Sequence, residues 1–114
     1  MSLIYKLLPR ADWVRASALG TYDGSAVDLT DGFIHFSTAE QVQETARKHF
    51  RGVTELVLLE VDSEALVAPV TWEPSRGGAL FPHLYGPMPA SAVLRAHPVE
   101  LDSDGVPVIG ALEP

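Results

Sequence analysis

The run Glu55-Leu-Val-Leu-Leu-Glu-Val61 restricts the fold more than any other stretch of the chain. Its aliphatic residues follow one another instead of alternating with polar ones, the pattern of a central strand covered on both faces. A strand that needs cover on two sides must lie inside a layered domain. With 114 residues the chain is expected to form one domain over 1–114, burying roughly two-thirds of the surface its unfolded form exposes.

Other elements follow from local signals. Ser2–Leu8 reads as a strand that Pro9 closes, and Asp12–Leu19 as an amphipathic helix stopped by Gly20. Residues 21–31 read as loop, and Gly32–Ser37 as a strand. Thr38-Ala-Glu-Gln41 has capping-box spacing and opens a second helix. Its inner stripe is Val42, Ala46, His49 and Phe50, with Gly52 at its end. Further strands are expected at Val70–Glu73, at Leu80–Tyr85 interrupted by Pro82, and at Leu94–Leu101 and Val106–Ile109 around an Asp104-Gly105 turn. Short helical turns are expected at Asp62–Leu66 and Ala90–Val93. The sum is an α+β domain: a mixed or antiparallel sheet of roughly six strands with two main helices.

Composition narrows the function. The formal charge is −7, with 46% hydrophobic and 20% charged residues, so the chain is neither disordered nor suited to coat nucleic acid or an anionic membrane. Cysteine is absent, which removes disulfides, thiol nucleophiles and thiolate metal sites. With no leader-like start and no apolar run of bilayer-spanning length, a cytoplasmic location is expected. Residues 1–53 balance to zero, so the net charge lies in 54–114. Within that half, 74–99 carries Arg76 and Arg95 and no acid, which points to a small anionic or nucleotide-like ligand held locally.

Two strands carry polar residues where apolar ones belong. Alternate strand residues share a face, so His35 and Ser37 lie together, as do His83 and Tyr85, each pair with a Phe two residues ahead of its His. If both strands line one cleft, the site holds two imidazoles, a serine and a phenol. Gly86 marks a sharp turn or a close backbone approach by a ligand. In Arg76-Gly77-Gly78, backbone amides and a guanidinium could take a phosphate, with Trp72 and Glu73 just before that loop. No metal site is expected, because no ligand set surrounds His35 and His83. His49 and His97 read as structural.

The blocks Asp31-Gly-Phe-Ile-His-Phe-Ser-Thr-Ala-Glu-Gln-Val42, Leu56–Asp62 and Phe81-Pro-His-Leu-Tyr-Gly-Pro87, with the Trp13…Ala16…Gly20-x-Tyr22 start, resemble the domain-of-unknown-function 952 family of small bacterial proteins. Position 36, often cysteine in such blocks, is Phe36. The resemblance implies a distant relation to the ADP-ribosyltransferase fold, with NAD as candidate substrate and no metal. In that group an early-strand histidine holds the nicotinamide ribose, and a later tyrosine or histidine packs on the nicotinamide. These roles would fall on His35 and on Tyr85 or His83, with Ser37 and Thr38 at the following helix start helping to hold the ligand. The glutamate such transferases use has only Glu73 and Glu100 as candidates. The alternative is a non-catalytic module binding a small ligand in the same cleft.

Overall fold

The computed structural model describes residues 2–110 and Leu112, and for Arg76 the backbone alone. Eight strands run in the order β1 (Leu3–Pro9), β2 (Thr21–Tyr22), β3 (Ile34–His35), β4 (Leu56–Asp62), β5 (Val70–Pro74), β6 (Leu80–Leu84), β7 (Met88–Pro89) and β8 (Val93–Val99). Helices α1 (Arg10–Leu19) and α2 (Ala26–Asp31) precede β3, and α3 (Val42–His49) follows it. The expected single sheet is three: β1-β4-β8, β3-β6-β5 and the ribbon β2-β7, all antiparallel.

β4 is the central strand its aliphatic run implies, and Leu56–Val61 are all buried. Val57, Leu59 and Val61 join Ile4, Leu8, Ile34, Leu84 and Met88 in one core. Leu56 and Leu58 join Tyr5, Leu7, Val42 and Ala46 of α3 in the other. The expected reciprocal bonds form, Thr38 N–H donating to Gln41 Oε1 and Gln41 N–H to Thr38 Oγ1, but they close the turn leading into α3, whose own N-cap is Gln41. Along the expected stripe, however, Phe50 is only half-buried and His49 is exposed. α1 buries Ala16 but exposes Ser17, and Gly20 closes it at φ 88°. The turn at 102–105 forms, but its flanks meet only at a Leu101–Pro107 bridge, and β8 ends at Val99.

The largest correction concerns 21–31, which is not loop. Ser25 Oγ accepts from Asp28 N–H while Asp28 accepts from Ser25 N–H, a capping box that nucleates α2. With only six helical residues, α2 has no room for a 3.6-residue repeat, so its Ser-x-x-Asp start was its one sequence signal. Pro82, expected to interrupt its ladder, sits inside the middle strand of β3-β6-β5. Its carbonyl accepts from Phe36 N–H, so its nitrogen also faces β3 and the β5 ladder loses no bond.

β3 is short because the chain changes sheets there. Ile34 and His35 pair with Leu84 and His83 of β6, and two residues later Ser37 pairs with Tyr5 of β1. The two three-stranded sheets diverge from this point. The sharp turn at Gly86 is a close approach within the protein: a Cβ there would lie 2.5 Å from Ala68 Cβ. Gly86→Ala is expected to cost about 1–3 kcal/mol by overpacking, and adding Ala68→Gly should recover much of that in chemical denaturation.

Candidate functional site

At the divergence lies a cleft of about 610 Å³, walled by Tyr5–Pro9 of β1, Asp28 and Asp31 of α2, His35, Ser37, Phe81, His83, and Val42 to Phe50 on the α3 side. The volume suits a small-molecule site. Its centre is the buried carboxylate of Asp28, only 2% exposed. Oδ2 accepts from Lys6 Nζ at 3.0 Å and from Ser25 N–H at 2.9 Å. Oδ1 accepts from His35 N–H at 3.1 Å and lies 2.6 Å from His35 Nδ1. Burial works against the charged carboxylate, but the His35 bond, the Lys6 charge and the Ser25 amide outweigh it and hold Asp28 well below the usual carboxylate range. Burial pulls the Lys6 ammonium down, opposed by Asp28.

An ionised carboxylate only accepts, so His35 Nδ1 carries the proton it donates to Asp28. The other ring nitrogen, Nε2, lies 2.9 Å from Asp31 Oδ2. Gly24 permits this packing, since a Cβ at that residue would come within 2.8 Å of Asp28 Cβ.

His83 lies directly opposite His35 across β3 and β6, with ring centroids 5.4 Å apart. Its Nδ1 is 2.7 Å from Glu73 Oε1, and the Tyr85 hydroxyl donates to the same oxygen at 2.7 Å. The Tyr85 bond, then the His83 bond, lower the Glu73 carboxyl, and the same carboxylate raises the Tyr85 phenol. Phe33 stacks on His83 at 4.0 Å and lies 4.6 Å from His35 and 5.2 Å from Tyr85. Two carboxylate-oriented imidazoles and a phenol thus surround one phenyl ring.

The remaining candidates separate. Ser37 lines the cleft, with its Oγ 2.9 Å from Thr45 Oγ1. Thr38 is committed to the Gln41 bonds that close the turn before α3. Trp72 pairs with Pro82 on the sheet face opposite Glu73 and His83, so strand alternation turns it away from the cleft. Gly77 lines a separate hollow beside Glu40, Glu44 and Lys48, and both Gly77 and Gly78 adopt positive φ in a tight turn. The glutamates facing that turn weaken a phosphate-cradle reading of it. The Arg76 side chain lies outside the described residues. Arg95 of β8 is paired with Glu60 of β4, and His97 bonds the same carboxylate. Among the described residues no cluster of three metal-binding side chains occurs, and no helix is long and apolar enough to cross a membrane.

Sequence reasoning missed Lys6, Asp28 and Asp31. A lysine inside the apolar Leu3–Leu8 strand was the available signal for Lys6, and the Ser25-x-x-Asp28 spacing for Asp28. Tyr22 shows a further cost near the site. It is buried and its hydroxyl has no partner among the described residues. Burial, then Asp28 and Asp12, push its phenol up. Tyr22→Phe is therefore expected to raise stability at neutral pH by about 1 kcal/mol. A raised phenol stabilises the fold below its unfolded value and loses that contribution as pH rises through the folded one. The variant should accordingly lose less stability than wild type above about pH 10, where unfolded tyrosine ionises.

The match to a family model spans residues 7–96, which include Asp28, His35, Glu73, His83 and Tyr85. The chain belongs to the family described as protein of unknown function, DUF952. Among solved structures, the crystal structure of protein CC0527 from Caulobacter crescentus is 58% identical over 94% of both chains, with a TM-score of 0.90. The solution structure of the same Caulobacter protein is 59% identical with a TM-score of 0.82, covering 94% of this chain and 92% of that one. No curated protein matches the chain. The DUF952 fold is thus a small α+β domain with antiparallel sheets and three helices.

Proposed function

We propose that this DUF952 protein binds a nucleotide-like ligand, NAD foremost, in the cleft between the diverging sheets, and that the site works in the manner of an ADP-ribosyltransferase. The facing pair His35 and His83, each with Nδ1 held by a carboxylate, carries the reading. Held imidazoles present fixed directions to ribose hydroxyls and a carboxamide: His83 through its remaining nitrogen, and His35 by exchanging the Asp31 contact at Nε2 for the ligand. Phe33 and Tyr85 offer ring surfaces beside them for a planar base.

The charge around the pair sharpens the ligand's orientation. The segment 74–99 is acid-free only along the chain, because Glu73 comes against His83, and Asp28 and Asp31 come against His35, whose ring faces His83. This end suits the cationic nicotinamide ribose better than a phosphate. In the proposed reaction the C–N bond pair leaves with the base as neutral nicotinamide. The ribosyl cation, stabilised by the nearby carboxylates, is captured by the oxygen of water or an acceptor hydroxyl, which releases a proton.

Calorimetry with NAD and with ADP-ribose tests the binding, and a nicotinamide-release assay tests the chemistry. Binding is expected for both ligands, and His35→Ala should lower release by about 100-fold. No heat and no thermal shift would overturn the nucleotide reading. Release unchanged in His35→Ala removes His35 from the chemistry, and binding without release identifies a holding module.

A further inference from the structure

The cleft wall contains a strand edge with nothing paired to it. In an antiparallel strand the N–H and C=O of one residue point to the same side, and successive residues alternate sides. Tyr5 exchanges both of its backbone bonds with Ser37, each at 2.8 Å, so Tyr5 faces outward from the β1-β4-β8 sheet. Lys6 and Leu8 therefore face β4, and Leu7 faces outward again. Leu7 lines the cleft and is only 4% exposed, and neither its amide nor its carbonyl has a partner among the described residues. Continued toward Leu7, this antiparallel register would bring His35 opposite it, but His35 pairs instead with His83 of β6 and gives its N–H to Asp28 Oδ1, so the chain leaves the edge of β1 there.

We infer that an extended basic peptide adds to β1 at Leu7, continuing inside the cleft the pairing that Ser37 begins. Leu7 supplies one donor and one acceptor, whereas the Pro9 carbonyl, at the N-cap of α1, is taken by the first bond of that helix. Pro9 ends the edge because it has no N–H, so the segment recognised is short. The walls set the charge: Asp12, Asp28 and Asp31 line the cleft with Lys6 as its one ammonium, which Asp28 engages, while Asp31 lies against His35 and Asp12 against Arg15. Lysine or arginine side chains alternating along the peptide meet Asp12 and Asp31, whereas acidic peptides meet like charge. A second copy of this chain, at net −7, is the wrong sign for this edge.

The inference goes beyond the nucleotide reading and stands apart from it. Its test is an NMR titration of the ¹⁵N-labelled full chain with the capped peptide acetyl-Val-Lys-Val-Lys-Val-amide. The controls are the same peptide with alternate amides N-methylated, a Glu-for-Lys version, and NAD in a separate titration. The Leu7 amide is expected to move downfield and exchange more slowly with solvent. The N-methylated peptide should bind at least about tenfold more weakly, the effect of losing a single backbone hydrogen bond. Asp31→Asn should weaken the lysine peptide and not the glutamate one. An unmoved Leu7 amide at about 1 mM peptide, or equal binding of the N-methylated peptide, overturns the inference. NAD shifts at His35 and His83 without peptide shifts at Leu7 would leave the nucleotide reading standing alone.

Discussion

Asp28→Asn is expected to lower stability by about 3–5 kcal/mol, because it leaves the buried Lys6 ammonium without its counter-charge. In a domain of this size that corresponds to a fall in Tm of about 12–20 °C, readable by calorimetry. The asparagine can still accept from His35, so the loss reports mainly on the abandoned lysine. Lys6→Met combined with Asp28→Asn should recover most of the loss, since replacing a buried ion pair with neutral groups is often close to neutral. A double variant no more stable than Asp28→Asn alone would show that the pair's charge is not what the cleft wall depends on.

The same carboxylate sets the acid limb. Its folded pKa is depressed, so its contribution is complete above the unfolded value of about 3.9 and is lost progressively as pH falls toward the folded value. Wild type should therefore lose stability steeply below about pH 4, and Asp28→Asn should show a shallower acid limb. Equal slopes in denaturant titrations across that range would remove Asp28 as the cause.

Leu59→Ala has the other large expected effect. Leu59 is fully buried in β4, beside Lys6 of β1 and Ala96 of β8, and it belongs to the core that packs the two sheets together. Truncation removes burial and leaves a cavity, costing about 2–5 kcal/mol. Leu94→Ala on β8, where the side chain is 45% exposed, should stay within about 0.5 kcal/mol. Similar losses in urea melts for both would contradict the layered arrangement around β4.

What could be read along the chain was what local chemistry decides. The aliphatic run 56–61, interrupted only by Glu60, could only be a doubly covered strand, and the reciprocal Thr38–Gln41 bonds mark the turn into a helix. The alternation in 33–37 and 81–85 placed each imidazole and its neighbouring Phe on one face, which strand geometry requires whatever the partner strand is. The pairing of β3 with β6, which sets His35 opposite His83, depends on register across 48 residues and left no local trace. Ser37's switch to β1, which splits the sheet and opens the cleft, is a tertiary choice of the same kind.

Charge shows the difference most plainly. The sequence by itself determined the −7, the absence of thiols, the central strand and the two His-bearing faces. Only the tertiary structure decided what those faces meet. Folding brings Asp28 and Asp31 against His35, Lys6 beneath them, and Glu73 against His83, so a segment with no acid of its own sits among carboxylates. The physical reason is range. Propensity and periodicity act between residues a few positions apart, whereas an ion pair acts through space, between whatever groups the packed core brings within a few ångströms.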